Sequence, residues 1–268
     1  MNTVNVNGKT VRYHDLGTGT PLVLLHGFPL DSRIMLDVAE RLPKTCRVIV
    51  PDLPGFGQSS GDQPFTLDSL ADDLHAMLRE AGALPCVLGG LSMGGYLSLA
   101  FAARHPEALR GLILIDTRAD PDSDDVKRNR ERMAELARQR GAKPVIDAML
   151  PRMFAGETTA NRPEIVRKVV EIMNDCPPLT IAHASLAMRD RADHRQTVRQ
   201  LDVPLLLVFG RHDASTPPSV GEDLRAMARR ATLKVIENAG HLSPVEQPDA
   251  VAAAIAGFVA SLNDGNAS

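Results

Sequence analysis

Cys86-Val87-Leu88-Gly89-Gly90-Leu91-Ser92-Met93-Gly94 is the stretch that decides the fold. Residues 86–89 form an apolar run that predicts a buried strand, and residues 95–104 predict a helix. The pentapeptide between them predicts a sharp turn, because glycines two residues before and after a serine let the backbone reverse without side-chain clashes. Such a turn lifts the serine hydroxyl above the sheet edge, which makes Ser92 a candidate nucleophile.

Apolar runs and helical patterns alternate on both sides of this stretch. A hairpin turned at Asn7-Gly8 is predicted from residues 4–6 and 11–14, and buried strands from residues 21–25, 47–50, 85–88, 112–115, 203–209 and 233–236. Helices are predicted over residues 32–42, 67–81, 95–104, 220–228 and 248–262, and the tail after residue 262 is expected to fray. Continuous apolar strands that alternate with helices indicate an α/β fold, with a mostly parallel sheet of about eight strands covered on both faces.

The alternation stops between residues 118 and 199. This span has no clear strand and reads as several short helices interrupted by prolines, so we predict a helical cap inserted after the strand that ends at Asp116. Residues 1–117 and 200–268 then form the core domain. Five of the ten methionines lie in the insertion. They favour packing within helices, although methionine also suits adaptable apolar pockets, and Met149 and Met153 are the candidate substrate contacts among them.

Composition excludes several function classes. A net charge of -3 and a pI of about 6.2 favour neither a nucleic-acid partner nor an anionic membrane, and 3% aromatic residues argue against base-stacking surfaces. No apolar stretch approaches the roughly 18 residues of a membrane span, and the polar first ten residues do not read as a signal peptide. The three scattered cysteines read as buried free thiols, which favours a cytoplasmic location. Oligomeric state is left open.

Two further residues complete a constellation around Ser92. Asp213 follows the fifth buried parallel strand and His241 follows the sixth, so all three residues lie where the carboxyl ends of parallel strands meet. A serine hydroxyl needs a base, and that base needs an orienting acid. Asp116 also ends a strand and is the alternative acid, whereas Asp52 stands beside a Pro-Gly turn and is expected to brace its loop.

The backbone N–H groups of Met93 and Phe28 are the candidate donors to an oxyanion. Met93 begins the helix after Ser92, and Phe28 lies in the turn His26-Gly27-Phe28 after the first parallel strand. We expect His26 to brace this turn. Arg118, beside the strand that ends at Asp116, is a candidate to hold a substrate carboxylate, with pairing to Asp116 or Asp120 as the alternative. No spacing typical of metal ligands occurs, so neither a metal nor an organic cofactor is expected.

Over essentially its whole length the chain resembles the α/β-hydrolase family. The resemblance rests on His26-Gly27-Phe28-Pro29, on Asp52-Leu53-Pro54-Gly55-Phe56-Gly57-Gln58-Ser59, on the serine turn, and on Gly210-Arg211-His212-Asp213 and Gly240-His241, in the family's order of serine, acid and histidine. Within the family it is most similar to small esterases and lactonases: enol-lactone hydrolases, carrier-protein methyl esterases and cofactor-free haloperoxidases or perhydrolases. With a serine at position 92 and no Trp, it departs from the dehalogenases.

The resemblance therefore implies a serine hydrolase that cleaves carboxylic esters or lactones, with a small-molecule substrate. Two alternatives stay open. The same three residues serve perhydrolases and C–C bond hydrolases, and a hydrolase scaffold can also act as a small-molecule receptor with slow turnover.

Overall fold

A computed structural model describes residues 1–264, with only the backbone of residues 263 and 264. Within these residues, eight strands form one sheet: β1 (Asn2–Val6), β2 (Lys9–Leu16), β3 (Thr20–Leu25), β4 (Cys46–Pro51), β5 (Cys86–Leu91), β6 (Leu109–Ile115), β7 (Leu205–Gly210) and β8 (Ala231–Ile236). Their order is β1-β2-β4-β3-β5-β6-β7-β8. The first two strands pair antiparallel, β2 also pairs antiparallel with β4, and every later pairing is parallel. The predicted fold class, an α/β fold with a mostly parallel sheet, is confirmed.

Twelve helices surround the sheet in the same part of the chain. They are α1 (Arg33–Ala39), α2 (Leu67–Glu80), α3 (Met93–Arg104), α4 (Asp124–Arg140), α5 (Lys143–Met149), α6 (Gly156–Asn161), α7 (Pro163–Asp175), α8 (Pro178–Arg189), α9 (Arg195–Gln200), α10 (Pro218–Met227), α11 (Ser243–Glu246) and α12 (Pro248–Asp264). Short 3₁₀ turns lie at Pro106–Ala108 and Leu150–Arg152. None of the helices described is both long and apolar enough to cross a membrane.

The sheet is buried on both faces, as its continuous apolar strands require. Successive residues of β3 and β5 alternate between two apolar clusters: Val23 and Leu88 belong to the cluster that contains α2 and α3, whereas Leu24 and Val87 belong to the cluster that contains α1 and α12. Because both faces are covered, polar groups that act on a ligand are left to the strand ends and their loops.

The helical insertion, residues 118–199, follows β6 and leads into β7. Several of its prolines begin helices rather than interrupt them, since α5, α7 and α8 each carry proline in the first turn, where the missing N–H costs nothing. The expectation of short helices was wrong for α4, which has 17 residues and packs along α8. The division of the chain into a core domain and a separate cap domain stays a prediction.

Most differences from the predicted elements lie at their ends. β7 begins at Leu205 instead of residue 203, after Pro204, which has no N–H to donate to a neighbouring strand. β8 begins two residues early, at Ala231, because it pairs with the whole length of β7. α12 continues to Asp264, so the first part of the expected frayed tail is helical, and its remainder lies outside the described residues.

Candidate active site

The turn at Ser92 is strained and tightly packed. Ser92 has φ 51° and ψ -110°, a conformation that a residue with a side chain rarely adopts. Its N–H donates to the Ile115 carbonyl at 2.9 Å, and its own carbonyl accepts the Thr117 hydroxyl at 2.8 Å. A Cβ atom on Gly90 would lie 2.1 Å from the Gly94 carbonyl oxygen. The turn therefore requires small residues at positions 90 and 94, as the sequence indicates.

Ser92, His241 and Asp213 form a continuous hydrogen-bonded chain. His241 Nε2 lies 2.9 Å from Ser92 Oγ, and His241 Nδ1 lies 2.7 Å from Asp213 Oδ2. Burial lowers the pKa of His241, but the hydrogen bond and charge of Asp213, together with the charge of Glu246, outweigh burial and raise this pKa above its ordinary value of 6.5. Such a chain can take a proton from the hydroxyl and hold it on the imidazole.

Asp213 is held by its own loop as well as by His241. Its Oδ1 accepts the N–H groups of Ser215 at 2.7 Å and Thr216 at 3.0 Å, while Oδ2 accepts the Thr216 hydroxyl at 2.5 Å. Burial raises the pKa of Asp213, yet the hydrogen bond and charge of His241 and the hydrogen bonds of Thr216 outweigh it and leave this pKa below its ordinary value. Asp213 is therefore a fixed, ionised carboxylate beside the imidazole.

Asp116, the alternative acid, has other partners. Its Oδ1 accepts the Gly210 N–H at 2.7 Å, and its Oδ2 lies 2.6 Å from Ser243 Oγ and 3.3 Å from Ser243 N. Burial, followed by the charge of Asp213, raises the pKa of Asp116 to about 8. Asp116 is thus largely protonated at neutral pH and braces the loops that carry Asp213 and His241, whereas Asp213 is the carboxylate that accepts the hydrogen bond from His241 Nδ1.

Both candidate oxyanion donors lie beside Ser92. A Cβ atom on Gly27 would lie 3.5 Å from Ser92 Cβ, so the turn that carries Phe28 packs directly against the serine. Among the hydrogen bonds of residues 1–264, none engages the Phe28 N–H. Met93 begins α3, where the first N–H groups of a helix have no intrahelical acceptor. The role of both N–H groups as oxyanion donors stays a prediction.

His26 and Asp52 hold the surrounding loops, as expected. The Leu53 N–H donates to His26 Nε2 at 3.1 Å, which leaves the ring proton on Nδ1 to donate to the Gly27 carbonyl at 2.9 Å. Burial lowers the pKa of His26, so the ring stays neutral in this role. The buried Asp52 carboxylate accepts two backbone N–H bonds from neighbouring loops at 2.9 and 2.8 Å.

The three candidate substrate contacts have protein partners. Arg118 lies 3.5 Å from Asp120 Oδ2 and donates to the Ser215 carbonyl at 3.2 Å. The ion pair with Asp120 matches the alternative in which Arg118 pairs with a neighbouring acid. Met153 is buried in the apolar cluster of α1 and α12, and Met149 is partly buried against both clusters. Substrate binding by these residues stays a prediction.

One group of side chains in the described part of the chain brings three metal-ligand atoms close together. Atoms of His75, His105 and Glu107 lie within 4.8 Å of one another. The two imidazoles stack at 4.2 Å with an interplanar angle of 7°, and His105 Nε2 is bonded to Asp72 at 2.9 Å. Nearly parallel rings direct their in-plane lone pairs side by side instead of toward one ion, so this arrangement is a stacked pair and a poor metal site.

The sequence interpretation missed three residues that support the site. Thr117 holds the Ser92 carbonyl, Thr216 holds Asp213, and Glu246 accepts the Gly240 N–H at 2.8 Å. Thr216 had a local signal, because an aspartate commonly accepts hydrogen bonds from residues two and three positions later. Thr117 and Glu246 depend on contacts between distant segments and had no such signal.

Comparison with known proteins identifies the family of this chain. Residues 22–254 match the sequence model of the alpha/beta hydrolase family. Over 244 residues the chain is 31% identical to a pimeloyl-[acyl-carrier protein] methyl ester esterase of Neisseria meningitidis serogroup A, covering 90% of this chain and 77% of that protein. The chain belongs to the alpha/beta hydrolase family, which confirms the resemblance.

Solved structures give the same result. A thermophilic esterase from Thermogutta terrifontis matches with a TM-score of 0.95 and 39% identity, covering 98% of this chain and 99% of that one. An enol-lactonase from Burkholderia xenovorans LB400 matches with a TM-score of 0.89 and 26% identity, covering 97% and 100% of the two chains. The similarity thus extends over the sheet, the helices and the insertion together.

Proposed function

We propose that this protein is a serine hydrolase that cleaves carboxylic esters or lactones through an acyl-enzyme on Ser92. The observation that carries the proposal is the chain from Ser92 Oγ to His241 Nε2, at 2.9 Å, and from His241 Nδ1 to Asp213 Oδ2, at 2.7 Å. The similarity to an esterase and to an enol-lactonase supports the choice of an acyl group bonded to oxygen as the substrate.

In the first half of the reaction, Ser92 Oγ attacks the carbonyl carbon while its proton passes to His241 Nε2. The carbonyl oxygen becomes an oxyanion held by the Phe28 and Met93 N–H groups, and each such donor is typically worth about 3–4 kcal/mol of barrier. Asp213 keeps the other ring proton on Nδ1 and stabilises the imidazolium. The C–O bond then breaks, and the alcohol oxygen leaves with the proton from Nε2. For a lactone, the alcohol stays attached to the acyl group.

In the second half, water takes the place of the alcohol. His241 Nε2 accepts a proton from the water as its oxygen attacks the acyl carbon, and the same oxyanion donors act again. Collapse returns the proton to Ser92 Oγ and releases the carboxylic acid. The steps use side chains, backbone and water alone. The proposed partner is a small-molecule ester or lactone, as the similarity to an esterase and an enol-lactonase suggests. Buried free thiols favour the cytoplasm as the proposed location.

The test is hydrolysis of p-nitrophenyl esters from acetate to dodecanoate by the wild type, Ser92→Ala and Ser98→Ala. Ser98 is a matched control because it is fully buried on α3, where its hydroxyl donates to the Gly94 carbonyl. We expect multiple turnovers on the kinetic scale of about 10 per second, a loss on the order of a millionfold in Ser92→Ala, and activity retained in Ser98→Ala. Activity that survives in Ser92→Ala would contradict the proposal.

Two further readouts separate the alternatives. A burst of one equivalent of p-nitrophenol without turnover would indicate a slow receptor. Peracid formed on addition of hydrogen peroxide, at a rate above that of hydrolysis, would identify a perhydrolase. The preferred acyl length among the esters would measure the depth of the acyl pocket.

A further inference from the structure

A buried carboxylate that the proposed reaction does not use lies five residues after His241. Glu246 ends the short helix α11 and is fully buried. Its Oε1 accepts the Gly240 N–H at 2.8 Å, and its Oε2 accepts the Ala155 N–H at 2.8 Å and the Thr158 hydroxyl at 2.6 Å. Among the described ion pairs, none includes Glu246. A buried carboxylate is tolerated only when its oxygens have hydrogen-bond or charged partners. For Glu246, hydrogen bonds to both oxygens meet this requirement without a paired cation.

The donors to Glu246 come from two separate segments. Gly240 directly precedes His241, while Ala155 and Thr158 belong to the helical insertion, at the start of α6. Arg162 of the same insertion adds another link, since it donates to the Glu246 backbone carbonyl at 2.5 Å. One residue therefore ties the loop that carries the histidine to the insertion.

The packing between these segments gives independent support. A Cβ atom on Gly240 would lie 2.5 Å from Ala155 N and 2.5 Å from the Phe154 carbonyl carbon. The two backbones therefore touch, and only glycine fits at position 240. Phe154 also belongs to the same buried apolar cluster as Leu242, which follows the histidine. The insertion cannot move at this point without moving the histidine loop.

We propose that Glu246 is a positioning residue, which fixes the His241 loop against residues 154–158 of the helical insertion so that the placement of the imidazole depends on the position of the insertion. The inference rests on the proposed function, in which His241 is the general base. Glu246 touches no reacting atom. Its effect is exerted through the Gly240 N–H and through its negative charge, which is one of those that raise the pKa of His241.

Glu246→Gln tests the proposal because it keeps the side-chain volume, removes the charge and leaves one NH₂ group facing N–H or O–H donors. We expect kcat for p-nitrophenyl acetate to fall about ten- to a hundredfold, as for a reacting group misplaced by roughly 1 Å. The acidic limb of the kcat/KM profile should move to lower pH, because loss of the negative charge lowers the pKa of His241. Thr158→Val removes one hydrogen bond but keeps the charge, so its acidic limb should stay in place.

Asp73→Asn is the matched control for the loss of a buried carboxylate. Asp73 is 5% exposed on α2 and binds Lys9 and Asn7 of the N-terminal hairpin, away from the histidine loop. It should lower the melting temperature and leave kcat and the pH profile unchanged. If Glu246→Gln behaves like Asp73→Asn, with a lower melting temperature but unchanged kinetics, Glu246 is merely structural and the proposal is overturned.

An NMR titration of the His241 imidazole separates this proposal from the proposed function, because it needs no turnover. The His241 signal is assigned by its absence in His241→Gln. A lower midpoint in Glu246→Gln than in the wild type supports the coupling, and an unchanged midpoint overturns it. A wild type that hydrolyses neither an ester nor a lactone, combined with a shifted midpoint, would overturn the proposed function and still support the coupling of Glu246 to His241.

Discussion

Replacing Asp213 by asparagine tests which carboxylate orients the base. Asp213 Oδ1 accepts two backbone N–H groups, of Ser215 and Thr216, and Oδ2 accepts the Thr216 hydroxyl and faces His241 Nδ1. An asparagine has one oxygen. Because backbone N–H groups cannot reverse their direction, that oxygen stays at the Oδ1 position, and the NH₂ group takes the Oδ2 position opposite the imidazole.

The reversed polarity has a defined consequence for the base. An NH₂ group can only donate to Nδ1, so the single ring proton of neutral His241 moves to Nε2. That nitrogen then has no lone pair to accept the Ser92 proton. We expect Asp213→Asn to lower kcat by about ten-thousandfold, the loss typical of a wrong tautomer, which corresponds to roughly 5 kcal/mol of barrier. Circular dichroism should show an unchanged fold, since the two side chains have nearly the same shape.

Asp116→Asn is the comparison variant in the same assay with p-nitrophenyl acetate. The pKa of Asp116 is raised to about 8, so at pH 7 the group is mostly a neutral acid, which an amide imitates. The amide oxygen can still accept the Gly210 N–H, and the NH₂ group can donate to Ser243 Oγ. The variant loses only the long contact with the Ser243 N–H, at 3.3 Å. We expect kcat within about tenfold of the wild type. A large loss in Asp116→Asn with a small loss in Asp213→Asn would refute the assignment and move the acid to Asp116.

Four further predictions address the site and its surroundings. The base must be neutral to act, and the pKa of His241 is raised above 6.5, so kcat/KM should fall as the pH drops, with a midpoint above 6.5. A midpoint below 6.5 would show that the pKa of His241 is lowered instead of raised. Burial raises the pKa of the Cys86 and Cys176 thiols to about 12, so both should resist a thiol reagent until urea unfolds the chain. Gly94→Ala, whose Cβ atom would lie 2.6 Å from the His26 carbonyl oxygen, should cost about 1–3 kcal/mol in urea unfolding. Arg118→Ala should raise KM for an ester with a free carboxylate and not for a neutral ester; equal effects would leave Arg118 with its structural partners alone.

The fold and the meeting of Ser92, Asp213 and His241 could be predicted because their signals are local. Each buried parallel strand is a short apolar run, and polar residues that end such runs meet at one edge of the sheet. Ser92, Asp213 and His241 satisfy this rule, and the hydrogen-bonded chain brings them together. The strained turn could be anticipated for the same reason, since the glycines that permit it stand within two residues of the serine.

The sequence favours Asp213 but leaves Asp116 open as the alternative acid, because both follow an apolar strand. What distinguishes the two carboxyl groups is the set of hydrogen-bond partners that each one has in the folded structure. Asp116 meets the Gly210 N–H and Ser243, and these contacts join residues far apart in the chain. The length of α4 was missed for a related reason: its polar sequence gives a weak pattern, and its helix is stabilised by packing on α8, which sequence periodicity does not reveal.

Asp116 and Glu246 are two buried acidic side chains with parallel roles. These roles explain why apolar residues could not replace them. The loops that carry the acid and the base touch through their backbones, since a Cβ atom on Gly210 would lie 2.0 Å from the Gly240 carbonyl oxygen. Asp116 accepts the N–H of Gly210, and Glu246 accepts the N–H of Gly240. Each N–H is buried and would otherwise lack an acceptor, a loss of about 1–3 kcal/mol that an apolar side chain cannot offset. Asp116 and Glu246 therefore help to set the distance between Asp213 and His241, because each holds one of the two loops that carry these residues.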